Sequence, residues 1–217
     1  MNIVKKRIAM TVCRLTLILI ALFAMYTGDL YAQEGKTDSS RFSHKGIKAS
    51  IAYGIATAAS DLKLKTGNVW SFSLGYGFNN NLTLWLGVGR EKHQNRPAID
   101  TNTVFANPAS GFQYKADLQY KFRSQSRLQP YGKVGWGVYS MSEKDVDITK
   151  IGTGFAFAVG ADYFFSRHFG FGVEVNYKIL NYTEESRKVG VDEWKEFDLD
   201  PALNGNSLTV MITFIIQ

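Results

Sequence analysis

Phe112-Gln113-Tyr114-Lys115-Ala116-Asp117-Leu118-Gln119-Tyr120-Lys121-Phe122 decides the fold. Every second side chain is apolar or aromatic, and every intervening one is polar or charged, so the two sets separate only if successive side chains point to opposite faces. That is the period of a β-strand; a helix, with its 3.6-residue turn, would mix them.

The same alternation recurs on both sides. It is clear in Trp70-Ser71-Phe72-Ser73-Leu74-Gly75-Tyr76-Gly77-Phe78, in Phe155 to Tyr163, in Phe169 to Ile179 and in Leu208 to Phe214. Weaker runs lie at 46–56, 82–91 and 131–141. Eight strands are therefore expected, at about 45–56, 67–78, 82–91, 111–122, 130–141, 153–165, 169–180 and 206–217.

Glycine indicates which face meets which solvent. Gly54, Gly75, Gly77, Gly87, Gly89, Gly135, Gly137, Gly154, Gly160, Gly170 and Gly172 share the polar face. Small residues suit the crowded inside of a tightly curved sheet. The opposite face carries Trp70, Phe72, Tyr76, Phe155, Phe157 and Phe171, a wall of rings that water would not tolerate. The large apolar face is thus expected to meet lipid. Strands of roughly ten residues, rising about 3.3 Å each and tilted near 40°, span about 25 Å, the height of an outer-membrane apolar band. Closure is required as well, because a sheet edge in lipid leaves backbone groups unpaired. The fold class is all-β: an eight-stranded antiparallel up-and-down transmembrane β-barrel.

Connections alternate in length. Asn79-Asn80-Asn81, Ser166-Arg167-His168 and 123–129 are short; 57–66, 92–110, 142–152 and 181–205 are long. Short turns face the periplasm and long loops the exterior in such barrels, which puts both termini in the periplasm. Phe78, Tyr120, Phe122, Tyr163, Phe165 and Phe169 fall near the short-turn end, and Trp70, Phe112, Tyr114 and Tyr177 nearer the long loops, as two lipid-interface girdles would.

The N-terminus reads as an export address. Lys5-Lys6-Arg7 precedes an apolar run from Leu15 to Tyr26, too short to cross a bilayer as a helix, and Leu30-Tyr31-Ala32 offers a cleavage site. Residues 1–32 are expected to be a signal peptide, 33–44 a periplasmic lead-in and 45–217 the barrel. The sole cysteine, Cys13, lies in the signal, so a processed chain has no disulfide or thiol chemistry. Of the net charge of +6, residues 1–32 supply half, leaving 21 basic against 18 acidic residues, interspersed. No basic stripe suggests nucleic acid.

With these residues in view, the chain resembles the outer-membrane β-barrel family of OmpA/OmpX type, a porin-like group of Gram-negative cell envelopes. Pro130-Tyr131-Gly132-Lys133-Val134-Gly135-Trp136-Gly137 carries the likeness, as does Val159-Gly160-Ala161-Asp162-Tyr163 turning into Phe169-Gly170-Phe171-Gly172-Val173-Glu174. The resemblance implies outer-membrane lipid and lipopolysaccharide as surroundings and the barrel-assembly machinery as a partner. It also implies outer loops free to meet an extracellular ligand. One departure is the C-terminus, where Phe214 is followed by Ile215-Ile216-Gln217 instead of ending the chain.

Eight strands leave an interior just wide enough for side chains. The inward set includes Trp85, Gln119 and Asn176 with the charged residues Lys48, Lys115, Asp117, Lys121, Lys133, Asp162, Glu174 and Lys178. Buried charges must be paired or hydrated. A salt-bridged lumen is expected, with Lys115, Asp117, Glu174 and Lys178 at its centre; it either fills the barrel or gates a narrow channel for small solutes. Chemistry is not expected. His44 lies in the lead-in, His168 in a short turn and His93 on an outer loop without a following Ser, unlike barrels that process lipid A. No cofactor or metal site is expected, and Asp198-Leu199-Asp200 reads as part of a solvated acidic loop. The function class is a structural or surface-interaction protein, serving envelope integrity or adhesion through four outer loops. A soluble ligand-carrying barrel is the remaining alternative.

Overall fold

The computed structural model describes residues 44–57, 62, 64–94, 108–143, 147–189 and 194–217. The expected signal 1–32, with Cys13, lies outside these residues, as does the lead-in except His44.

Nine strands form one sheet: β1 (Gly46–Ala56), β2 (Gly67–Gly77), β3 (Leu82–His93), β4 (Ala109–Lys121), β5 (Leu128–Glu143), β6 (Ile148–Phe164), β7 (Phe169–Lys188), β8 (Trp194–Asn204) and β9 (Ser207–Ile216). All neighbours are antiparallel. β1 to β7 pair in sequence order, β7 pairs β9, and β9 pairs β1, for instance Ile51 with Phe214. Eight strands therefore close on themselves and leave no barrel edge unpaired, which satisfies every ladder group in a solvent without hydrogen bonds.

β8 is the exception to the expected plan. The link 181–205, read above as a loop, is mostly a hairpin: β7 continues to Lys188 and β8 returns along it, Glu185 opposite Phe197. Nearly all of β8 is exposed on both faces, so it stands outside the barrel wall. β5 and β6 also run past their expected ends, to Glu143 and from Ile148, which shortens the link read as 142–152.

Alternation in the sequence becomes alternation in exposure. β2 switches between buried and exposed at every residue, and β9 does so from Thr209 onward. Phe112, Tyr114, Phe155, Phe157, Phe169 and Phe171 all point outward and are 41–63% exposed. Their opposite neighbours Gly75, Gly87, Gly135, Gly154 and Gly172 point inward. Two of these glycines make room for a particular side chain. A Cβ on Gly75 would meet Cε3 of Trp85 at 2.6 Å, and one on Gly135 would meet Oδ1 of Asp117 at 1.9 Å. The glycine-lined face admits the lumen side chains that the sequence places there.

Candidate functional site: the barrel lumen

At the short-turn end, beyond the start of β1, His44 is fully buried. Its Nδ1 lies 2.5 Å from Gln217 Oε1, and its Nε2 lies 2.8 Å from the Ser124 carbonyl oxygen and 2.6 Å from Gln129 Nε2. The ring leans on Phe164, with centroids 5.2 Å apart. Burial, reinforced by the nearby charge of Lys121, pushes its pKa down to about 4. The residue read as the last of the periplasmic lead-in is a stopper in the barrel mouth. The C-terminal residue is drawn into the same cap: Gln217 N donates to the His168 carbonyl at 3.0 Å.

Above this cap lies a column of ion pairs. Lys121 meets Asp162 at 3.2 Å and donates to Gln129 Oε1 at 2.8 Å. Lys133 meets Glu174 at 2.5 Å, and the same carboxylate oxygen accepts from the Tyr131 hydroxyl at 2.9 Å. Lys115 meets Asp117 at 3.1 Å. Lys48 donates to Thr83 Oγ1 at 3.0 Å, and Trp85 Nε1 donates to Gln119 Oε1 at 2.8 Å.

All eight charged residues singled out in the sequence thus point into the lumen. Their grouping differs from expectation at one place: Lys178 pairs with Glu91, not with Glu174. Glu91 was not in the expected set. It is buried and also accepts from His93 Nε2 at 3.3 Å, so His93 closes β3 on the inside instead of lying on an outer loop. The parity Gly87, Gly89, Glu91, His93 was the signal that could have revealed both.

The outer end closes with apolar groups. Leu62 and Leu64, from the first outer connection, pack with Ala109, Tyr139, Met141, Leu180 and Tyr182, and Leu199 and Leu203 of β8 lean on them. The cavity beneath this stopper is about 10 Å³, room for one water. Higher still, Glu185 holds both Lys150 and Arg187.

The sequence-chosen rim aromatics all face outward. Phe78, Tyr120, Phe122, Tyr163, Phe165 and Phe169 sit at the short-turn end and Trp70, Phe112, Tyr114 and Tyr177 toward the other; each is at least 40% exposed. Near the C-terminus, Phe169 stacks on Phe214 at 6.1 Å, so the last aromatic belongs to the short-turn rim although three residues follow it.

A closed antiparallel barrel with an oily exterior and a charged interior defines an integral outer-membrane barrel. This chain belongs to the Outer membrane protein beta-barrel domain family, which matches residues 15–214. Among solved structures it is similar to Neisserial surface protein A, with 18% identity, a TM-score of 0.50, and coverage of 78% of this chain and 94% of that one. It is likewise similar to OprG from Pseudomonas aeruginosa, with 16% identity, a TM-score of 0.53, and coverage of 80% and 98%. At such identities the likeness concerns the fold. No curated protein matches it in sequence. The protein is accordingly located in the outer membrane.

Proposed function

We propose that this barrel is a closed structural and surface-display element of the envelope, made to hold outer segments in place for contacts with lipopolysaccharide or an extracellular ligand. The observation that carries this reading is the lumen. It is filled by the Lys121–Asp162, Lys133–Glu174 and Lys115–Asp117 pairs and stoppered at one end by His44 and at the other by the Leu62–Tyr182 cluster. The β7–β8 hairpin rises past the wall and offers Trp194 and Phe197, each about half exposed, to whatever lies outside. On this reading residues 1–32 direct export and are removed, the assembly machinery inserts the barrel, and both ends of the mature chain stay in the periplasm. The role is non-catalytic.

The test is conductance of the purified protein in planar bilayers. A closed element gives no discrete steps. Stable steps whose size or ion preference changes on Lys115→Glu or Glu174→Lys would favour the narrow channel instead.

A further inference from the structure

On β2, β3 and β4 the outward face turns polar where the apolar wall ends. In cross-strand register, Trp70 of β2, Arg90 of β3 and Phe112 of β4 lie side by side, and the next outward layer is Asn68, Lys92 and Ser110. Below the first layer the same strands present Phe72, Val88 and Tyr114, all exposed and apolar or aromatic. The boundary between oil and polar headgroup therefore runs through Arg90.

A groove of about 680 Å³ opens here, lined by Asn68, Arg90, Lys92 and Ser110 with Thr66 and Gln94 above them. Among the described residues lining it there is no carboxylate; the nearest acid in sequence, Glu91, points into the lumen, where Lys178 holds it. Arg90 lies with its guanidinium carbon 5.0 Å from the centroid of Phe112. Its Nε is buried without a hydrogen-bond partner. No acceptor among the described residues holds that donor, so the guanidinium is not committed to a partner within the chain.

We propose that this groove binds a phosphate group on the headgroup of an outer-leaflet glycolipid, with the acyl chains lying along Phe72, Val88 and Tyr114. A guanidinium offers a planar pair of donors to phosphate oxygens, and Lys92 adds a point charge beside it. Asn68 and Ser110 supply neutral hydrogen bonds to the sugar or phosphate. Depth selects a lipid over a free anion, because the site begins where the hydrocarbon wall stops. The inference rests on the orientation proposed above, with the long connections outside.

Native mass spectrometry of the full-length protein in neutral detergent, titrated with a phosphorylated lipid A-type glycolipid, tests it. Arg90→Gln/Lys92→Gln is compared with Arg127→Gln/Arg167→Gln, a charge-matched control at exposed short-turn positions. Retained heat-modifiability shows that each variant is folded. The groove variant is expected to lose about tenfold or more in affinity, the equivalent of one charge-assisted hydrogen bond. The control keeps wild-type affinity, the dephosphorylated lipid binds the wild type no better than the phosphorylated lipid binds the groove variant, and inorganic phosphate does not compete. Equal binding by all three proteins overturns the site, and full competition by inorganic phosphate overturns the lipid as its ligand. Loss in the control alone reverses the orientation and overturns both readings.

Discussion

Lys133 and Glu174 meet across the lumen at 2.5 Å, from β5 and β7, two strands that are not neighbours in the sheet. The pair ties the wall together through its interior, and Tyr131 shares the same carboxylate oxygen. Removing one partner strands the other charge in a crowded, poorly hydrated space. Glu174→Ala is expected to cost about 3–5 kcal/mol, read as a lower temperature for the gel-mobility shift from folded to unfolded barrel. Adding Lys133→Met to Glu174→Ala should recover part of that loss, because no uncompensated lysine remains.

Gly75 and Trp85 face each other on the adjacent strands β2 and β3. The indole occupies the volume a side chain on residue 75 would need. Gly75→Ala must push Trp85 from its bond to Gln119, with an expected cost of about 1–3 kcal/mol. A shift in Trp85 emission, recorded with the other tryptophans replaced by Phe, would accompany the fall in stability.

The pH dependence follows from His44. Its folded pKa of about 4 lies below the ordinary value of 6.5, chiefly through burial. The unfolded chain therefore takes up the proton first. Stability is constant above the ordinary value and falls as pH drops from 6.5 toward about 4. Denaturant midpoints at pH 7.5, 6.0 and 5.0 should show this slope in the wild type and a flatter one in His44→Gln, which stays neutral throughout.

Much of this was legible in the sequence because lipid outside and a tight lumen inside impose contrasting demands on alternate residues. Phe112 to Phe122 shows the contrast undiluted. β8 escaped because its first half has water on both faces: Trp194-Lys195-Glu196-Phe197-Asp198 has no buried side to mark a period. His44 escaped for a different reason. Its place depends on Gln217 and Gln129, 173 and 85 residues away, and no local pattern encodes such a meeting. The inward charges were readable from parity, but the partnership of Lys178 with Glu91 was not, since strand parity gives a face and not a height in the barrel.

Orientation can be tested on intact cells. Under the proposed removal of residues 1–32, which takes Cys13 with it, Phe197→Cys and Arg167→Cys each supply the only thiol of the processed chain. A membrane-impermeant maleimide should label Phe197→Cys on whole cells and reach Arg167→Cys only after the outer membrane is broken.

The central claim is that the bulky face looks into acyl chains and the glycine-lined face into the lumen. Trp136 and Trp85 report on the two faces, being 48% and 5% exposed. Two variants, each keeping one of these tryptophans and carrying Phe in place of the other three, are folded into vesicles of lipids brominated along their acyl chains. Strong quenching of Trp136 with little quenching of Trp85 is the outcome this account predicts; quenching of Trp85 with Trp136 protected would contradict it.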